Sequence, residues 1–268
     1  MLSTIMLLGI LTGILLGIGW LFFGLGGLLA ALAFSIVLNF FMYWYSDRIV
    51  LGLYRAKQSS DQRVNSIVER LSKESKIPKP KVYIVNTDVP NAFATGRSPK
   101  HSAVAVTKGL MGLNDEELEG VLGHEIGHIR NRDTLVATMA ATIAGAISVL
   151  AQIGYTSMFF GRGREGGNLL GLIFIIIFAP LAALFVRLAI SRSREYKADN
   201  FGAILTKKPH ALASALRKIS ESAQKNPLKG NLATSHLWIV NPFRGDKFAE
   251  LFSTHPPIEK RIERLEEI

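Results

Sequence analysis

Residues 114–133 read NDEELEGVLGHEIGHIRNRD, and the rest of the chain is organised around this stretch. Apolar residues recur in it at three- and four-residue spacing, which is the pattern of an amphipathic helix: Leu118, Val121, Leu122, Ile126 and Ile129. Asn114 and Glu117 have the spacing of a capping box, and Leu113 can pack against Leu118 as a hydrophobic staple. We therefore predict a helix that begins at Asn114.

The middle of this helix carries His124-Glu125-Ile126-Gly127-His128. Residues four apart lie on one helix face, about 6 Å from each other, so both imidazoles can reach a single ion. Two neutral nitrogens suit zinc, and Glu125 stands where it can take a proton from a zinc-bound water. We predict His124 and His128 as zinc ligands and Glu125 as the catalytic base. The other interpretation is a solvated or core histidine pair, against which the adjacent glutamate argues.

A catalytic zinc needs a third protein ligand and one open position. The chain contains no cysteine, so this ligand must offer nitrogen or oxygen. Downstream, Glu195 and Asp199 lie one helical turn apart. We predict that Glu195 ligates zinc while Asp199 hydrogen-bonds the outer nitrogen of a ligating imidazole and so orients it.

The composition indicates that part of the chain lies in a lipid bilayer. Of its 268 residues 49% are hydrophobic, and the mean hydropathy of +0.26 is too high for an ordinary soluble protein. The formal net charge is +10, but all but three of the Lys and Arg residues lie in residues 47–133 and 191–268, beside the apolar segments. This distribution is typical of cytoplasmic loops, and no nucleic-acid motif accompanies it. We expect no nucleic-acid partner.

Two apolar regions predict membrane hairpins. Residues 1–46 carry no charged side chain and are interrupted by glycines near residue 24, which predicts spans at about 4–22 and 28–46. A cleaved signal peptide is the competing interpretation, but no basic segment precedes the apolar run. Residues 134–190 predict two more spans, at about 134–160 and 169–190. Glu195 can reach the zinc only if the chain returns to the side that it left, so residues 47–133 and 191–268 should form one cytosolic domain.

Other segments predict the surroundings of the site. Three β-prone runs, at 81–85, 92–95 and 102–106, should form a small sheet beside the metal helix, and residues 236–240 are a candidate short strand. An exposed edge of the sheet could hold an extended peptide, although a purely structural sheet fits these residues as well. Gly9, Gly13 and Gly17 form a small-residue face that could support oligomerisation or pack within the chain.

The order of these motifs resembles that of the HtpX-type membrane zinc metallopeptidases, gluzincins related to the type I CAAX prenyl proteases. The resemblance covers essentially the whole chain and is carried by five motifs: NAFA at 91–94, HEIGH at 124–128, REYKAD at 194–199, HLWIVNP at 236–242 and STHPP at 253–257. The fold expected is a mainly α membrane protein, with four transmembrane helices and one cytosolic α+β gluzincin-like catalytic domain containing a small sheet.

The resemblance also implies a function. It implies an ATP-independent endopeptidase of the prokaryotic inner membrane, with polypeptide substrates that are misfolded or damaged membrane proteins under stress. The implied cofactor is one Zn²⁺, held by His124, His128 and Glu195. Glu125 would be the catalytic base and acid, and Asp199 would hydrogen-bond a ligating histidine. Asn91 matches the family's substrate-binding position. His255 matches its oxyanion-stabilising position, although a lone histidine before two prolines is more often a capping or packing residue.

Two functions of other classes stay open at this point. In a non-catalytic membrane scaffold or adaptor, zinc would only link residues 47–133 to residues 191–268. Such a structural site should have four protein ligands. A metal transporter would need ionisable residues within its spans, where the sequence offers only Arg187. Glu125 beside a three-ligand set favours the peptidase.

Overall fold

The computed structural model describes residues 2–143, 192–228, 232–243 and 256–268. His255 and most of the predicted second hairpin, 134–190, lie outside these residues. The helices are α1 (Leu2–Leu53), α2 (Gln62–Glu74), α3 (Asp115–Arg130), α4 (Asp133–Ile143), α5 (Arg192–Thr206), α6 (Pro209–Lys225) and α7 (Ile258–Glu266). The strands are β1 (Lys57–Gln58), β2 (Lys81–Val85), β3 (Ala92–Ser98) and β4 (His101–Thr107), and two 3-10 helices span Gly109–Gly112 and Leu232–Leu237.

The apolar N-terminal helix α1 reverses direction at Gly24. This residue has φ 59° and ψ −144°, a left-handed conformation that only glycine adopts readily. The Asn39 side chain donates a hydrogen bond of 2.9 Å to the hydroxyl of Thr12, 27 residues earlier. A straight helix would separate these two residues by about 40 Å, so the two arms of α1 run side by side.

Only one helix among the described residues, Phe23–Leu53, is both long and apolar enough to cross a membrane. It extends beyond the end that we predicted for the second span, residue 46. The first arm contributes a shorter apolar helix, Leu8–Leu21, and Asp133–Ile143 is another. The expectation of four transmembrane helices is therefore not confirmed.

The small sheet is present and has the order β1-β2-β4-β3. Strands β2 and β4 are parallel, whereas β1 pairs with β2, and β3 with β4, in antiparallel fashion. The predicted runs supply β2, β3 and β4, but we did not predict the two-residue strand β1. Because β3 has a strand neighbour on one side only, its other edge faces the rest of the domain.

Alternate residues of β3 point to opposite faces of the sheet and lie in two separate hydrophobic cores. Ala92 and Ala94 face a core that the sheet forms with α2, α3, α6 and α7. Phe93 faces a second core, formed with the end of α1 and with the last residue of the second 3-10 helix and the segment that follows it: Val50, Leu51, Leu237, Trp238 and Phe243. The sheet is thereby fixed to the end of α1 on one face and, on the other, to helix α3, which carries His124 and His128.

Candidate active site

Helix α3 begins as the sequence predicts. The Asn114 side chain accepts a hydrogen bond of 2.9 Å from the Glu117 backbone, and the Glu117 carboxylate accepts one of 3.3 Å from the Asn114 backbone. Helix α5 packs closely on α3 because Gly202 has no side chain. A Cβ atom at Gly202 would lie 2.8 Å from the backbone nitrogen of His124. This close approach brings the two acidic residues of α5 to the histidines of α3.

Three side chains converge at the contact of α3 and α5. The Nε2 atoms of His124 and His128 are 3.1 Å apart, and Glu195 places its two oxygens 3.8 Å and 3.4 Å from them. Metal–ligand distances of 2.0–2.2 Å in a tetrahedral site put neighbouring ligand atoms about 3.3–3.6 Å apart. The three residues therefore have the spacing of metal ligands, all within 4.8 Å of one another.

The outer nitrogen of each histidine faces a carboxylate. Nδ1 of His124 lies 2.8 Å from Asp199, as predicted, and Nδ1 of His128 lies 3.4 Å from Asp133, which we did not predict. An Nδ1–H that donates to a carboxylate leaves the Nε2 lone pair free for a metal ion. Each ring is therefore arranged so that its Nε2 could bind a metal ion.

Arg261 of helix α7 holds Asp199 in place, and we did not predict this role from the sequence. Its guanidinium donates to both oxygens of Asp199, at 2.7 Å and 2.8 Å, and to the Ile239 carbonyl at 2.8 Å. The residue is 1% exposed. A signal for it existed: Arg261 lies three residues after Ile258 and four before Leu265, so it shares the apolar stripe of its helix.

Electrostatics separate the roles of the two imidazoles. Burial lowers the pKa of His124 to about 4, although Asp199 acts to raise it. The low pKa favours the neutral ring, which is the form that binds a metal ion. Burial also acts to lower the pKa of His128, but the negative charges of Glu195 and Asp133 outweigh it and raise that pKa to about 9. The negative charges that raise the pKa of His128 would also favour a metal cation at this position.

Glu125 lies beside the three ligands and is 2% exposed. Burial raises the pKa of its carboxyl to about 7, against the opposing effects of His128 and, more weakly, of a hydrogen bond with the Ala94 backbone. Glu125 lines a cavity of about 40 Å³ together with His124, His128, Glu195 and Ala94. This volume accommodates water beside the ligands. The Glu125 carboxyl is therefore placed beside the space that such a water would occupy.

The free edge of β3 borders this cavity only at Ala94. The neighbouring residues that face this edge are already hydrogen-bonded. The Ala92 carbonyl accepts a hydrogen bond of 3.0 Å from the Ile239 backbone, and the Gly96 carbonyl accepts one of 3.0 Å from the Thr134 hydroxyl. The Ala94 backbone itself forms a hydrogen bond with Glu125. The sheet edge that the sequence predicted is therefore present but is largely occupied by bonds within the protein, and its binding of an extended peptide stays a prediction.

The other predicted residues lie as follows. Asn91 does not line the cavity; its side chain donates 2.7 Å to the Val240 carbonyl, and its substrate contact stays a prediction. His236 does line the cavity, and its Nε2 lies 3.0 Å from the Ala137 carbonyl. The segment 236–240 is not a strand. It ends a 3-10 helix and continues as bends, because Asn91 and Arg261 hold its carbonyl groups.

A histidine pair, a glutamate ligand and a buried glutamate beside a sheet edge define a metallopeptidase site. Residues 58–268 match the model of Peptidase family M48, and the chain belongs to this family. It is accordingly a metalloprotease, and the resemblance predicted from the motifs is confirmed.

Relatives match over nearly the full chain. The Protease HtpX homolog of Pyrococcus furiosus is 57% identical over 271 residues, which cover 98% of this chain and 94% of the relative. The Protease HtpX homolog of Syntrophotalea carbinolica is 50% identical over 271 residues, which cover 99% of this chain and 97% of that relative. The crystal structure of S. mikatae Ste24p resembles the fold with a TM-score of 0.52 at 18% identity. That comparison covers 96% of this chain, which spans about three-fifths (62%) of the Ste24p chain.

Proposed function

We propose that this metalloprotease is a zinc-dependent endopeptidase whose ion is held by His124, His128 and Glu195. The observation that carries the proposal is the spacing of their three ligand atoms, all within 4.8 Å of one another, beside a cavity that Glu125 lines. Two imidazole nitrogens and one carboxylate, with no thiolate in the chain, form a donor set typical of catalytic zinc. When bound, zinc would acidify the attacking water and polarise the scissile carbonyl.

The protein's own residues then account for the proton transfers. Glu125 takes a proton from the attacking water and later gives it to the leaving amine, a double role that suits a carboxyl with a pKa of about 7. Asp199 and Asp133 hold the two ligating rings by their Nδ1 atoms. Arg261 fixes Asp199 in turn, and its Nη1 lies 3.7 Å from an oxygen of Glu195, so we assign it as a positioning residue.

We further propose that α1 anchors the enzyme in the prokaryotic inner membrane, with the catalytic domain on the cytoplasmic side. The apolar helix Phe23–Leu53 and its exposed aromatic residues support the anchor, and the basic residues of 47–133 and 191–268 support the orientation. Substrates would be misfolded or damaged membrane proteins degraded under stress, in keeping with the relatives named as HtpX proteases.

Replacement of the proposed base tests this function. We expect Glu125→Gln to bind one zinc per chain, as the wild type does, but to cleave an unfolded membrane protein or casein at least a hundredfold more slowly, the low end of what general acid–base catalysis contributes. The matched control is Glu116→Gln, an exposed carboxyl on the same helix. Wild-type cleavage by Glu125→Gln would refute the role. A zinc-loaded wild type that cleaves nothing would instead favour the scaffold.

A further inference from the structure

The point where the β3–β4 hairpin meets α1 combines exposed aromatic and basic side chains. Tyr43, Trp44 and Tyr45 are each more than one-third exposed, at the end of an exposed apolar surface that runs along α1 from Trp20. The guanidinium of Arg97, on β3, lies 4.4 Å from the Trp44 ring centre. Arg48 lies 5.4 Å from the ring centre of Tyr45, and Lys100 occupies the exposed turn between β3 and β4.

These three cations keep their charge available to an external anion. None of Arg48, Arg97 and Lys100 forms an ion pair with a carboxylate of the described residues. The only acidic residue of α1, Asp47, is adjacent in sequence but half-buried. Arg97 stacks on an indole face and directs one N–H toward the Trp44 carbonyl at 3.5 Å, which leaves most of its five donors unused.

We propose that Arg48, Arg97 and Lys100 form a collar that binds the phosphate groups of anionic phospholipids. The inference rests on the proposed bilayer placement of α1 and adds a lipid preference to it. Aromatic side chains such as Tyr43 to Tyr45 sit at the headgroup level of a bilayer, and basic residues next to them meet phosphate oxygens there. A planar guanidinium is especially suited to phosphate because two of its N–H groups can bind two oxygens at once.

The collar would also set the height of the active site above the lipid. Arg97 and Ala94 belong to the same strand, and a three-residue separation in a strand is about 10 Å. Ala94 lines the metal-site cavity, and Arg97 contacts Trp44. Headgroups bound by the collar would therefore hold the mouth of the active site at the membrane surface, where the loops of a damaged membrane protein emerge.

Quenching of Trp44 fluorescence tests the lipid preference. The full chain carrying Trp20→Phe retains Trp44 as its lipid-facing tryptophan, while Trp238, which is 0% exposed, supplies a constant background. The protein is placed in phosphatidylcholine vesicles that contain an equal minor fraction of either brominated phosphatidylglycerol or brominated phosphatidylcholine. We expect the phosphatidylglycerol to be preferred by about fivefold or more, with the preference weakening in high salt.

Two variants separate the collar from a general effect of charge. Arg97→Gln/Lys100→Gln removes two of the three collar charges and should lower the ratio of the two quenching constants toward one. Lys73→Gln/Lys76→Gln removes the same charge near the end of α2, which packs on the opposite face of the sheet, and should leave the preference unchanged. Each variant is compared with itself in the two lipids, so altered intrinsic fluorescence of Trp44 cancels.

Each remaining outcome has a defined meaning. Equal quenching of the wild type by both lipids, or an unchanged preference in Arg97→Gln/Lys100→Gln, would overturn the collar. Loss of the preference on addition of inorganic phosphate at constant ionic strength would overturn the lipid assignment, because the site would then take soluble anions. If neither lipid quenched Trp44, the bilayer placement of α1 itself would fail, and this result would not affect the peptidase chemistry.

Discussion

Replacement of Arg261 by methionine is the most informative perturbation of the site that leaves every proposed metal ligand in place. The guanidinium makes two hydrogen bonds to Asp199 and one to the Ile239 carbonyl. Methionine fills much of the same space but offers no donor. Asp199, which is 3% exposed, would lose the cation that offsets its burial.

The size of the effect follows from two parts of this arrangement. Removal of one partner from a buried ion pair typically costs about 3–5 kcal/mol of folding free energy. A loosened Asp199 also holds His124 less well, and loss of a residue behind a metal ligand typically weakens metal binding by about 10- to 100-fold. Arg261→Lys keeps the charge but cannot bond both carboxylate oxygens and the Ile239 carbonyl together, so its losses should be smaller.

The assay measures zinc affinity of the detergent-solubilised chain by competition with a chromophoric chelator, at a temperature where circular dichroism shows each variant folded. Unfolding of the metal-free protein in denaturant gives the stability change. Lys260→Met is the control, since it also removes one positive charge, from an exposed position of the same helix. If folded Arg261→Met bound zinc as tightly as Lys260→Met, the proposed positioning role of Arg261 would be refuted.

Three further predictions follow from the same geometry. Arg261 lowers the pKa of Asp199 to about 2 despite its burial. As the pH falls from about 4 to 2, the metal-free wild type should therefore lose about 2 kcal/mol of its free energy of unfolding relative to Asp199→Asn, as measured by denaturant unfolding. Asp133→Asn should weaken zinc binding less than Asp199→Asn in the chelator competition, since its contact is 3.4 Å rather than 2.8 Å and more exposed; an equal loss would count against this ranking. Gly202→Ala should push α5 away from α3 and lower both zinc affinity and thermal stability, whereas Gly112→Ala, which meets nothing within 4 Å, should change neither.

Local signals in the sequence were sufficient for the metal helix. The Asn114–Glu117 cap, the apolar spacing and the two histidines all act within one helix, and the structure reproduces the cap and the pairing of the rings. Glu195 and Asp199 could be proposed because a catalytic metal site with two predicted ligands needs a third, and this acidic pair follows the two histidines in the chain. These inferences needed chemistry rather than knowledge of the tertiary fold.

Features that depend on distant contacts were harder to predict. Strand β1 has two residues and exists only because β2 lies beside it. The segment 236–240 has the composition of a strand, but Asn91 and Arg261 bind its carbonyl groups and hold it in an irregular form. Arg261 itself appeared to be an ordinary charge on a surface helix, since its partner Asp199 lies 62 residues away. The number of membrane spans depends on residues beyond those that the structure describes.

The central claim is that His124, His128 and Glu195 bind one zinc ion and leave one position open toward Glu125. Anomalous diffraction at the zinc edge from crystals of the zinc-loaded Glu125→Gln variant tests it most directly. We expect one peak at about 2.0–2.2 Å from Nε2 of both histidines and from a Glu195 oxygen, with the fourth position facing the cavity. A peak that Glu195 does not reach, or a fourth protein side chain in the coordination sphere, would contradict the account.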